Sequence, residues 1–201
     1  MKKLTVLVVL LVSLFLCLPS VWADDIYVGQ TFNMTIPAGY GDSANGGPFL
    51  FNPTGGSSFD TWCNTTYEYF NPGDTYTITA LENDASPAAA ALYYNYRMGT
   101  LAGYVGSATQ RLDLQNALWY LAYNHGDADS IHGPQGDINS PYVQVALNYG
   151  WTTPGNVVLI DYMYGNSPGQ DVYGIVPEPT SLLLLGLGLL GVAGIRRKFK
   201  S

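Results

Sequence analysis

Two apolar stretches fence off everything that lies between them. Leu4–Leu18 sits near the start of the chain and Ser181–Ile195 near its end. Six of the eight Lys and Arg residues cluster beside these stretches: Lys2 and Lys3 before the first, and Arg196, Arg197, Lys198 and Lys200 after the second. Whatever folds must therefore fold between residues 24 and 176. There two arginines, Arg97 and Arg111, face 14 acidic residues, a formal charge of −12 with no lysine at all. A surface that binds nucleic acid needs clustered Lys and Arg to displace counterions, so that role is excluded. Only 11% of the chain is charged, against about 25% in an ordinary soluble domain, and 16 Tyr, 4 Trp and 7 Phe supply a core, which excludes disorder.

The first apolar stretch reads as a secretory signal peptide over residues 1–23. Lys2 and Lys3 form its positive end, and Val21-Trp22-Ala23 offers a small-residue cleavage site before Asp24. The second reads as a short transmembrane helix. A full span takes roughly 17–25 apolar residues, so residues 181–195 need help from their flanks. Arg196, Arg197 and Lys198 form a membrane stop on the cytoplasmic side, which leaves residues 24–176 outside. Ahead of this helix, Pro177-Glu178-Pro179 cannot be helix interior and presents an extended segment to a processing enzyme.

The PEP tripeptide, the Leu/Gly-rich helix and the Arg-rich end, in this order over residues 177–201, resemble the PEP-CTERM sorting signal. That resemblance implies an exosortase as partner, a membrane-embedded cysteine protease or transpeptidase. It also implies an exported, inner-membrane-anchored precursor that ends at the cell surface or outside a Gram-negative-type bacterium, in the company of exopolysaccharide and biofilm.

Residues 24–176 suit one domain. Apolar alternation at Ile26, Val28, Phe32, Met34 and Ile36 predicts a first strand, and Pro48–Asn52, Phe59–Asn64 and Thr75–Leu81 predict three more. Ser86-Pro87 is a helix start ahead of Ala88–Met98, Ser107 and Gln110 have capping-box spacing for a helix to about Asn124, and Ser140-Pro141 opens a third. Strands return at Asn156–Tyr164 and Gln170–Ile175. Strands, then helices, then strands predict an α+β domain, its antiparallel strands arranged as a sandwich or barrel with about three inserted helices.

Little points to an enzyme, and none is expected. No Gly-x-Ser-x-Gly elbow, phosphate loop or dinucleotide fingerprint occurs. Asp127 and Asp129, between His125 and His132, have the spacing that opens a calcium loop, but Ile131 stands where a third oxygen ligand belongs. No metal and no cofactor is expected. Glu68 and Asp74 offer an acid and a base for an exported hydrolase, with nothing to fix their separation. Tyr67, Tyr69 and Phe70 offer stacking rings for a non-covalent carbohydrate- or matrix-binding module.

After loss of the signal peptide one cysteine remains, Cys63, so no disulfide forms within the domain. On the Ser107 helix a 100° projection places Ala108, Leu112, Gln115, Leu118, Trp119 and Ala122 on one face, so the Gln115 amide points with the core set. A thiolate that attacks a glutamine carbonyl expels ammonia and leaves an internal thioester, which an external amine or hydroxyl then opens. The alternative is an inert, buried Cys63 and a Gln115 bonded to backbone. The pair resembles the thioester domains of bacterial surface adhesins, with Cys63 after the aromatic Trp62 and Gln115 between Leu114 and Ala117-Leu118-Trp119. Trp62 and the polar Asn64 depart from the usual neighbours of that cysteine. The resemblance implies an adhesin that attaches covalently to a surface nucleophile.

Overall fold

The structure, a computed structural model, describes residues 23–37, 47–65, 70–125 and 136–177. The signal peptide through residue 22, Tyr67, Glu68, Tyr69, Asp127–His132, Glu178, Pro179, the apolar residues 181–195 and Arg196, Arg197 and Lys198 lie outside these residues. Among the described residues no helix is long and apolar enough to cross a membrane.

Seven antiparallel strands form one sheet. They are β1 (Thr31–Thr35), β2 (Phe49–Pro53), β3 (Phe59–Thr61), β4 (Thr75–Glu82), β5 (Val157–Tyr164), β6 (Ser167–Pro168) and β7 (Val172–Ile175). The order runs β3-β2-β1-β4-β5-β6, and β7 pairs with β5 through Val157↔Ile175 to Ile160↔Val172. Just past β3, Cys63 bridges Val172, flanked by Asn64 N–H to the Asp171 oxygen at 2.8 Å and Tyr173 N–H to the Trp62 oxygen at 3.1 Å. The two ends of the sheet thus meet, and the strands close into a barrel-like ring instead of a sandwich of two sheets. Closure removes the exposed edges that a flat sheet would present.

The three helices enter between β4 and β5. They are α1 (Pro87–Arg97), α2 (Ala108–His125) and α3 (Pro141–Asn148). The first two start at a side-chain cap, and the third at a proline. Ser86 Oγ accepts the Ala89 N–H at 3.4 Å ahead of Pro87. At α2 the capping box is reciprocal: Gln110 N–H reaches Ser107 Oγ at 3.3 Å, and Ser107 N–H reaches Gln110 Oε1 at 3.4 Å. Ser140 precedes Pro141 with a non-helical backbone.

Period-two burial sorts the strand residues into two cores. Phe32, Met34, Phe49, Phe51, Cys63, Tyr76, Ile78, Val158, Ile160, Tyr162 and Val172 fill the ring interior. Trp62, Val157, Leu159, Tyr173 and Ile175 face outward to α1, α2 and α3. β5 is buried on both sides for this reason, and its near-continuous apolar run Val157–Ile160 follows.

Two expectations need correction, and one short strand has no counterpart among them. The first strand starts only at Thr31, because Val28-Gly29 is a turn (Gln30 N–H to the Tyr27 oxygen, 3.1 Å; Gly29 φ +89°) that leaves Val28 exposed. On α2, Leu112 is 43% exposed and Ala108 is exposed too. The buried stripe instead runs through Leu114, Gln115, Ala117, Leu118, Leu121 and Ala122, since α2 packs against both α1 and α3. The short strand β6 carries no apolar pattern. It forms because the two-residue turn Gly165-Asn166 (Gly165 φ +58°) folds it back onto β5, and Gly169 then lets the chain cross the Tyr162 ring, where any Cβ would collide with ring carbons.

A buried ion pair ties the ends of the domain together. Asp24 N–H donates to the Ile175 oxygen at 2.6 Å, and Ile175 N–H returns a bond to Asp24 Oδ2 at 2.7 Å. Arg97 from α1 grips the same carboxylate with both nitrogens, at 2.8 and 3.1 Å. It also donates to Tyr93 Oη at 2.8 Å and the Asp60 oxygen at 3.2 Å, and it lies over the Phe59 ring.

Candidate functional site

Cys63 and Gln115 come together. Cys63 is held by its bridge to Val172 at the seam of the ring, and Gln115 descends on it from the first half of α2. One turn further along α2, Trp119 Nε1 donates to the Thr65 oxygen at 3.1 Å, which locks the helix to the segment that carries Cys63. Both Cys63 and Gln115 are 0% exposed.

Every polar atom of the Gln115 amide is used. Oε1 accepts two backbone N–H groups, from Gly47 at 2.9 Å and from Cys63 itself at 3.2 Å. Nε2 donates to the Cys63 oxygen at 2.9 Å. Two converging N–H donors on a carbonyl oxygen form an oxyanion hole, which polarises the Cδ carbon and stabilises negative charge that develops on Oε1. The Gly47 N–H that bonds Gln115 Oε1 also acts on the Cys63 thiol, so one backbone donor serves both residues. Burial pushes the thiol well above its ordinary range, and Gly47 offsets only part of this. The resting sulfur is therefore a neutral S–H.

Gly47 is the residue that sequence reasoning misses. It closes a Gly-rich loop, and its role is carried by a backbone N–H that no side chain announces. A Cβ here would lie 2.8 Å from the Thr61 oxygen and 3.2 Å from Trp62 Cα, so only glycine lets this strand approach the Cys63 segment. Gly46-Gly47-Pro48, a glycine pair at a strand mouth, is the one trace of it in the sequence.

The two unusual neighbours have structural reasons. Trp62 is fully buried on the helical side, edge-on to Tyr96. Asn64 is fully buried too, and its Oδ1 accepts the Tyr173 hydroxyl at 2.7 Å.

The remaining sequence candidates fall elsewhere. Phe70 is 6% exposed and packs edge-on to Phe49 at 4.4 Å, so it is a core ring and no sugar platform. Asp74 is half-buried at the end of the turn into β4, its N–H bonded to the Asn71 oxygen at 3.2 Å. Pro177 is exposed, and Val176 before it is pinned by its N–H to the Asn156 oxygen at 2.9 Å.

Comparison with known proteins finds two kinds of likeness. Among solved structures, the chain is similar to the N-terminal thioester domain of a surface protein from Clostridium perfringens, with 14% identity and a TM-score of 0.45 over 72% of this chain and 97% of that one. It is also similar to the N-terminal thioester domain of fibronectin-binding protein SfbI from Streptococcus pyogenes, with 13% identity and a TM-score of 0.47 over 80% of this chain and all of that one. No curated protein matches the chain. Residues 176–198 match the PEP-CTERM protein-sorting motif, which indicates an exported, membrane-anchored precursor processed by exosortase.

Proposed function

We propose that this is a cell-surface or matrix attachment protein whose domain forms a thioester between Cys63 Sγ and Gln115 Cδ, with residues 181–195 as the membrane segment of its precursor. The observation that carries this reading is the Gln115 carbonyl, held by Gly47 and Cys63 N–H groups beside the only thiol of the domain. The chemistry balances without a further reagent. Sγ bonds to Cδ, the electron pair of the carbonyl moves onto Oε1 between its two donors, and the Cδ–Nε2 bond breaks. The thiol proton leaves with nitrogen as ammonia. An external amine then attacks Cδ, the C–S bond breaks, and Cys63 recovers its proton while Gln115 keeps the partner in an amide bond. Each molecule reacts once, so the protein acts as an adhesin and not as a turnover enzyme. The absence of lysine between residues 24 and 176 leaves no internal ammonium side chain to consume the bond.

Intact mass tests this. The mature wild-type protein should be about 17 Da lighter than its sequence, one ammonia per bond, and methylamine should add at Gln115 and release one thiol. Cys63→Ala and Gln115→Ala should each abolish the adduct. An unshifted mass with one freely alkylated thiol after unfolding would leave Cys63 a packed core residue.

A further inference from the structure

Away from Cys63, the loop between α3 and β5 builds a second site. Residues 150–153, Gly155, Asn156 and Tyr94 of α1 line an open cleft of about 400 Å³, within the range of roughly 300–1,000 Å³ typical of small-molecule sites. Tyr94 and Trp151 form an aromatic wall, their rings 5.5 Å apart and tilted by 49°. Both rings are half-buried, and the Thr152 and Thr153 side chains beside them are exposed.

Asn156 distinguishes this cleft from a surface dent. It is 6% exposed, and its backbone is fixed by the bond from Val176 N–H. Its side-chain amide makes no hydrogen bond to any described residue, yet it lines the cleft and is not sealed from it. An amide placed so takes its hydrogen bonds from the cleft, from water or from a ligand that displaces it. Two left-handed glycines, Gly150 (φ +66°) and Gly155 (φ +65°), bracket the loop that leads into Asn156, and a Cβ at Gly155 would touch the Trp151 ring edge.

The chemistry of the lining selects the ligand. It carries no charge, so an ion would be desolvated without a counter-charge. A wholly apolar ligand would leave the amide and the threonine hydroxyls unpaired. A neutral sugar ring satisfies both walls: its C–H face lies on Trp151 and Tyr94, and two adjacent hydroxyls pair with the donor and acceptor of the Asn156 amide. We infer that the Tyr94–Trp151–Asn156 cleft is a binding site for a neutral saccharide, independent of the chemistry at Cys63.

The test uses the full-length chain in a non-glycosidic detergent, titrated by calorimetry and saturation-transfer NMR. The probes are the tetrasaccharides of β-1,4-glucan, α-1,4-glucan, β-1,3-glucan and β-1,4-mannan, with tetragalacturonate and a neutral Gly-Ser pentapeptide as competitors. At least one neutral tetrasaccharide should bind with a Kd below about 1 mM. Asn156→Ala should weaken it about tenfold or more, the loss of one well-placed hydrogen-bond pair. Trp151→Ala should abolish binding, and Trp151→Phe, which keeps a packed ring, should restore part of it. Thr152→Val, on the exposed rim, should weaken binding without unfolding anything. The inference is overturned if no neutral tetrasaccharide binds at about 10 mM, if tetragalacturonate or the peptide binds more tightly, or if Asn156→Ala and Trp151→Phe bind as the wild type does.

Discussion

Two buried polar clusters join distant parts of this chain, and they are built from opposite materials. Around Arg97, full charges meet: a bidentate carboxylate, a phenol, a main-chain oxygen and an aromatic face surround one guanidinium. Around Gln115, only neutral groups meet, and their hydrogen bonds converge on a single carbonyl. The charged cluster saturates its groups and leaves nothing to react. Tyr93 illustrates this, since burial pushes its phenol far above the ordinary range while the neighbouring Arg97 pulls against that shift. The neutral cluster leaves one atom polarised, Gln115 Cδ, against the backbone of the residue that carries the domain's thiol. The first is suited to holding the chain and the second to changing a bond.

Removing one partner from each cluster should separate these roles. Arg97→Ala strands the Asp24 carboxylate in a site where it is 3% exposed, and chemical denaturation should show a loss of about 3–5 kcal/mol. Thioester formation in the fraction still folded should be unaffected. Gly47→Ala should do the reverse. It displaces one of the two donors on Gln115 Oε1, and the rate of ammonia loss, followed by mass on freshly refolded protein, should fall about 10²–10³-fold. A Gly47→Ala protein that forms the bond at the wild-type rate would remove the oxyanion hole from the mechanism.

Tyr93→Phe sharpens the charged side of the comparison. It takes an acceptor from Arg97 and a donor from the Asp60 oxygen, bonds of 2.8 and 3.1 Å. The cost in denaturation should be about 1–3 kcal/mol, less than that of Arg97→Ala because the ion pair survives.

The smallest effect concerns carboxylates that have no cation beside them among the described residues. Burial raises the Asp161 carboxyl above its usual range, with Asp84 adding to the rise, and Asp161 in turn raises Glu82. A folded-state value above the unfolded one means that the folded protein holds these protons longer. Stability is then fully present below the ordinary carboxylate range near pH 4 and falls as pH rises through the raised values. Asp161→Asn should therefore raise the melting temperature at pH 7 and leave it nearly unchanged near pH 4. The gain should be under about 1 kcal/mol, because Glu82 and Asp84 are exposed and screened.

Residue type governs which parts of this arrangement are legible in the amino-acid sequence. Cys63 and Gln115 stand out because a lone thiol and an amide on an apolar face are each anomalous where they sit. The caps at Ser86 and Ser107 are legible because their chemistry is local, three residues wide. Periodicity misplaces Leu112 because it sets the width of a helical stripe but not its rotation, and α1 and α3 decide that. The closing bridge Cys63↔Val172 joins residues 109 apart, and the Gly47 donor belongs to the main chain, so neither leaves a mark in composition. Arg97 does leave one, as one of two cations in a segment of charge −12, where it has 14 carboxylates to choose from.

The exchange of hydrogen bonds between Asp24 and Ile175 has a mechanical consequence. Residues 24 and 175 meet, so a membrane-anchored precursor hangs from a single pivot beside the start of its folded body. A tether at one pivot transmits tension but almost no torque. The body can swivel until any face looks away from the membrane, and its orientation is then set by whatever it touches. A pull on the tether is first borne at the clamp, where Arg97 grips Asp24 and Asp24 grips Ile175.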